Sequence, residues 1–230
     1  MNFLACLTSL FVLLATVYAN TEKIIFRAPS STNLASSGPS FAQLHLQFLT
    51  PKTPSHRLSL PVAFPTKEQS HGLDSWYLLR DLSAEQRHEV RVCWAATQPT
   101  SFLLEIHNIS TTFDTPELIQ SLAAFSEAQQ SRDPAGESSK SQPADRTNQE
   151  SLLFLRVHAA ADFFASNKTL MSSPPHVDVD IILDPYRVNA IPRSLLPNVV
   201  YILALAAGAW VLSNLLWKRL FIATGKPHND

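Results

Sequence analysis

Apolar and polar positions along the chain form three kinds of pattern. Two long apolar runs lie near the ends, Phe3–Val17 (FLACLTSLFVLLATV) and Ser194–Trp217, and neither contains a charged residue. Between them, short segments alternate apolar and polar with the period of two that marks a half-buried strand. They are Leu44–Phe48, then Arg57–Phe64 with Leu58, Leu60 and Val62 on one face. Glu89–Trp94 follows, with Val90, Val92 and Trp94 opposite Arg91 and Cys93. Ser101–His107 sets Phe102, Leu104 and Ile106 on one face, and Val177–Asp184 alternates Val177, Val179, Ile181 and Leu183 with acidic residues. Lys23–Phe26, Trp76–Leu79 and the run from Ser151 add strands without clean alternation, and Asp81–Arg87 reads as a polar turn. Strands about a dozen residues apart with Pro-punctuated turns predict a mainly β, antiparallel sandwich-like domain.

One stretch has the helical period. Asp114-Thr115 supplies an N-cap, Pro116 the first helical position and Glu117 a first-turn acid. Leu118, Ile119, Leu122 and Phe125 then form an apolar stripe, fading near Gln130. Glu127–Glu150 has no large apolar residue and is predicted to be a disordered loop.

The end runs set the topology. Residues 1–19 read as a signal peptide, with Val17 and Ala19 as the small residues before cleavage. Residues 197–217 are long enough for a transmembrane helix, which needs about 20 apolar residues. Lys218 and Arg219 follow at once, fitting the basic cytoplasmic flank of a single-pass type I protein. That polar tail, 218–230, argues against a discarded lipid-anchor signal, which ends in its apolar stretch. Residues 20–193 then form a lumenal domain.

Composition narrows the chemistry. The formal net charge is −1, and no basic stripe points to nucleic acid. With 16 prolines and 5 glycines, the chain suits strands and rigid turns better than a helical bundle. Of its two cysteines, Cys6 leaves with the signal peptide. Cys93 therefore has no intramolecular partner and reads as a small buried strand residue.

Catalytic patterns are weak. His176, Asp178 and Asp180 share one strand face but read as its solvated side, not a metal site. His71, Asp74 and Ser75 are close in sequence, yet a triad is a matter of geometry, and a polar turn is the simpler reading. No metal, cofactor or small-molecule substrate is expected. Asn108-Ile-Ser110 and Asn167-Lys-Thr169 are glycosylation sequons. Lys226 and His228 match a weak variant of a dilysine retrieval signal for the endoplasmic reticulum. In the span, Gly208, with Ala204, Ala206, Ala207 and Ala209, allows close helix packing. Asn214 seeks a hydrogen-bond partner on another helix.

The stretch Ser75–Phe102, with Arg91-Val-Cys-Trp-Ala-Ala-Thr-Gln-Pro-Thr100 as its most distinctive piece, and Thr115-Pro-Glu-Leu-Ile119 resemble the fungal GPI-mannosyltransferase II co-activator family. The signal peptide, single C-terminal span and overall length agree. The resemblance implies a non-catalytic subunit of the endoplasmic reticulum membrane. Its partner would be a multi-span mannosyltransferase catalytic subunit that adds the second mannose to the GPI precursor, drawing on dolichol-phosphate mannose. The alternatives are an accessory subunit of the first GPI mannosyltransferase, a type I cargo receptor or adhesion protein, and a lumenal enzyme.

Overall fold

The computed structural model describes residues 19–30, 44–132 and 151–222. Most of the predicted signal peptide, residues 133–150 of the predicted loop, and the tail with Lys226 and His228 lie outside these residues.

Among the described residues, nine strands build two sheets. In chain order they are β1 (Ala19–Arg27), β2 (Gln47–Leu49), β3 (Ser55–Leu60), β4 (Leu73–Leu82), β5 (Arg87–Ala95), β6 (Thr100–Asn108), β7 (Ser151–Ala161), β8 (Val177–Arg187) and β9 (Ile191–Pro192). The first sheet runs β1-β5-β8-β3, with β9 hairpinned onto β8; the second runs β2-β4-β7-β6. All pairings are antiparallel except β2 with β4. The helices are α1 (Ile109–Asp114), α2 (Pro116–Arg132), α3 (Lys168–Ser172) and α4 (Leu196–Ile222).

The alternating residues of β5, β6 and β8 explain the main core. Val90, Val92, Val179, Ile181 and Leu183 face Leu79, Leu104, Leu155 and Val157 across the sandwich. Each such side chain contributes about 1.5–3 kcal/mol on burial.

A third layer departs from a simple sandwich. The other face of the second sheet is also covered: Trp76, Leu78 and Phe154 pack against Leu118 and Leu122 of α2. This is why β4 and β7 carry apolar runs instead of alternation. Of the predicted stripe, Leu118 and Leu122 are buried and Phe125 packs beside them, whereas Ile119, a step of about 100° round the helix from Leu118, is exposed. The helix runs to Arg132, so residues 127–132, expected in a loop, are helical.

Other strands differ in extent. β1 is longer than Lys23–Phe26. The predicted strand at Leu44–Phe48 shrinks and shifts because His45 adopts φ 48, which breaks the extended run. β3 ends at Leu60, before Pro61. Gly72 has φ 77, and any Cβ there would run into the Ala159 carbonyl, so the chain can enter β4 this close to β7 only with glycine.

Candidate functional site

Three places concentrate polar or unpartnered groups: the joint between domain and span, the span, and a charged cluster beside α2.

The joint grows from the outer face of the first sheet. There β5 and β8 align Glu89 with Asp184 and Arg91 with Ile182, while β1 sets Lys23 beside Arg91. Glu89 and Asp184 are 3% and 4% exposed, so two neighbouring carboxylates are buried and must be matched. Lys23 Nζ (3.7 Å) and Arg91 Nε (3.3 Å) flank Glu89. Tyr186 donates its hydroxyl to Glu89 Oε2 at 3.1 Å. Arg91 Nη2 lies 3.8 Å from Asp184 Oδ2 and donates to Ser194 Oγ at 3.3 Å.

Asp184 accepts the Ser194 backbone N–H at 3.3 and 3.2 Å on its two oxygens. Ser194 lies in the 3-10 turn Arg193–Leu195 that opens directly into α4. The carboxylate thus meets an N–H that has no partner within its own helical turn. Between β8 and β9 the chain turns through Val188 and Asn189, both at φ 53. A left-handed conformation is costly for β-branched Val188. It is held there by Arg87, whose backbone N–H donates to Asn189 Oδ1 at 2.8 Å.

The span leaves this joint bare. Residues Arg193–Arg219 are long and apolar enough to cross a membrane, and none of that stretch is buried. Ala204, Ala207, Gly208, Val211, Asn214 and Leu215 fall within one stripe about 120° wide at 3.6 residues per turn. Gly208 and Asn214 mark its two edges. A Cβ added at Gly208 would meet nothing within 4 Å.

The charged cluster lies where the second sheet's outer face emerges from beneath α2. Asp74 on β4, Arg156 and His158 on β7 and Glu105 on β6 are register neighbours. His158 Nδ1 is 2.7 Å and Arg156 Nη2 2.5 Å from Asp74. Glu105 Oε2 lies 3.3 Å from His158 Nε2, 3.4 Å from Arg156 Nη1 and 3.1 Å from His107 Nε2. The His158 Nε2 contact is an ion-pair approach without hydrogen-bond alignment. Ser121 of α2 donates to Asp74 Oδ2 at 2.6 Å and accepts from Trp76 Nε1 at 3.0 Å.

Burial alone would raise the Asp74 carboxyl. Hydrogen bonds from His158, Ser121 and Arg156 outweigh it and hold the group well below the usual carboxylate range. Burial likewise opposes the charge on His158, but Asp74 and Glu105 lift that imidazole above its ordinary value. The cluster thus brings a serine, an aspartate and a histidine together in an order unsuited to acyl transfer. Asp74 sits between Ser121 and His158, so the histidine has no serine hydroxyl to deprotonate. What the geometry does is fasten α2 to the sheet.

The remaining sequence candidates fall elsewhere. Ser75 is buried on the opposite sheet face from Asp74, while the His71 ring lies 5.6 Å from that of His158. Asp180 is held by Arg57 through two 2.9 Å hydrogen bonds. Among the described residues, no group of three His, Cys, Asp or Glu is placed to hold a metal ion. Cys93 lies on strand β5 as expected and is part-buried; it accepts a long hydrogen bond from Thr21 Oγ1 at 3.6 Å. Asn108 and Asn167 are both exposed, before α1 and α3 respectively.

The distinctive block Arg91–Thr100 now has a structural role along its length. Arg91 serves the joint, Val92 the core, and Trp94 packs edge-on against Phe102 at 4.6 Å. Gln98 clamps the turn to the start of β8. It donates to the His176 carbonyl at 3.4 Å and accepts from the Asp178 N–H at 3.2 Å. Sequence reasoning missed the buried carboxylates, because their partners lie far along the chain. No curated protein and no solved structure matches the chain. The sequence profile of the family described as GPI-mannosyltransferase II co-activator, however, matches residues 10–216, nearly the whole length. With the distinctive block and nearly all of the candidate span inside the matched region, the chain belongs to the GPI-mannosyltransferase II co-activator family.

Proposed function

We propose that this protein is a non-catalytic accessory subunit of the GPI mannosyltransferase II complex in the endoplasmic reticulum membrane. Its partner is a multi-span catalytic subunit that adds the second mannose to the GPI precursor. In this reading residues 1–19 are a cleaved signal peptide, the β domain is lumenal and the protein is single-pass type I. Lys226 and His228 assist retrieval.

The observation that carries the reading is the joint. The span begins on the domain, through the Asp184 carboxylate and the Ser194 N–H, with no flexible linker between them. A helix packed against a partner in lipid would therefore also fix where the domain stands over that partner. Small residues let helices approach closely there, and a buried amide such as Asn214 gains from a partner across the interface.

Purification from mild detergent tests this reading: a multi-span mannosyltransferase should be recovered with the protein. Cells depleted of the protein should accumulate GPI precursors bearing a single mannose. A protein that purifies alone and reaches the cell surface, with normal precursor lipids after depletion, would refute it.

A further inference from the structure

Phe164 is 88% exposed, the most exposed aromatic residue among those described. Its neighbour Phe163 turns inward, edge-on to Phe64 at 5.2 Å. The chain then bends at Ser166 and reaches the exposed sequon Asn167-Lys-Thr169. The turn is tied at both ends: the Ala165 N–H donates to Met171 Sδ at 3.3 Å, and the Met171 N–H to the Asn167 carbonyl at 3.3 Å.

The Asn167 side chain is also oriented. Its Oδ1 accepts the Thr169 N–H at 2.9 Å. Only the oxygen can accept from a backbone N–H, so the amide cannot be flipped. Nδ2, the atom that N-glycosylation modifies, is left on the opposite side of the amide.

We propose that Asn167 carries an N-linked glycan whose first sugar lies against the ring of Phe164. A phenyl face is electronegative and attracts the electropositive C–H face of a pyranose. Attachment uses a lipid-pyrophosphate oligosaccharide as donor. Asn167 Nδ2 forms a bond to the anomeric carbon as the carbon–oxygen bond to pyrophosphate breaks. The lipid pyrophosphate leaves with the electron pair, and Nδ2 gives up one proton to the transferase's base. Asn108 offers no such seat. Two residues before it Ile106 packs on the core, and His107 is engaged by Glu105. The inference rests on the lumenal orientation proposed above.

The test uses the full chain made in cells with N-glycosylation. Thr169→Ala removes the sequon but keeps the Asn167 cap, which needs only the backbone N–H. It should abolish one glycosidase-sensitive mobility shift. Enzymatic removal of the glycan should lower the melting midpoint of the wild-type protein by about 2–4 °C, and leave Phe164→Ala unchanged. Protease protection in sealed microsomes reports orientation separately. A protected domain with no mobility change in Thr169→Ala overturns the glycan assignment. An equal drop in midpoint in wild type and Phe164→Ala overturns the stacking. A digested domain overturns the lumenal orientation, and the glycan with it.

Discussion

Asp184 and Ser194 are joined across the start of the span: each carboxylate oxygen lies within 3.3 Å of the same backbone N–H. Arg91 braces the pair from the neighbouring strand. Strand β8 and the 3-10 turn that opens α4 are thereby one mechanical unit.

Replacing Asp184 with Ala leaves the Ser194 N–H without its buried acceptor and Arg91 with only one of its two carboxylate neighbours, Glu89. The expected cost is about 1–3 kcal/mol, with faster tryptic cleavage at Arg187 and Arg193. Asp184→Asn keeps an oxygen for Ser194 and should fall between Ala and wild type. Limited proteolysis with cleavage-site mapping measures this. Equal cleavage in all three proteins would remove the joint from the argument.

The span surface can be disturbed without touching the domain. Because a side chain at Gly208 meets open space, Gly208→Leu should leave the unfolding midpoint of the β domain unchanged. Recovery of the mannosyltransferase in mild detergent should fall sharply. Asn214→Leu should weaken recovery less, since hydrogen bonds between membrane helices contribute only about 1 kcal/mol.

The two core tryptophans should differ. Trp76 is fully buried between the second sheet and α2, with its Nε1 bonded to Ser121. Trp94 is only part-buried against Phe102. Loss of a buried Trp side chain costs about 3–5 kcal/mol. Trp76→Ala is expected at the upper end of that range or above it and Trp94→Ala at the lower end, by urea unfolding of the solubilised protein.

The Asp74–His158 pair sets a pH window. His158 titrates higher folded than unfolded, so its contribution is complete below about pH 6.5 and is lost as pH rises through its folded value. Asp74 and Glu105 are lowered, so theirs is present above about pH 4.5 and lost as pH falls through their folded values. The unfolding free energy should plateau between these limits. His158→Gln should flatten the alkaline-side decline. A wild-type decline that persists unchanged in that variant would assign it to another group.

How much could be read from the sequence depended on what covers each face. β5, β6 and β8 were legible because they present one apolar and one polar face. β4 and β7 read as short apolar runs because α2 covers their second face, and only the tertiary fold says so. α1, Ile-Ser-Thr-Thr-Phe-Asp, is rich in β-branched and turn-forming residues and gives no helical signal. It forms where β6 ends and packs against α2 and β7. Glu89 and Asp184 look like ordinary solvated strand positions until the register sets them side by side. The span was legible because a bilayer imposes a one-dimensional rule. Gly208 and Asn214 stood out by composition, and the fold leaves both facing outward.

The position of β8 also bears on the order of assembly. It is the last long strand made, yet it lies inside its sheet, between β5 and β3. Until its 11 residues are available, β1–β5 and β3 have no common neighbour and the first sheet remains in two pieces. Closing it demands contacts far apart in sequence, the slow kind. The span follows β8 after only a hairpin, so the domain becomes whole at almost the moment synthesis reaches the membrane anchor. A released chain ending just before Val177 should bind chaperones as an open half-sheet, and one ending just after Arg187 should not.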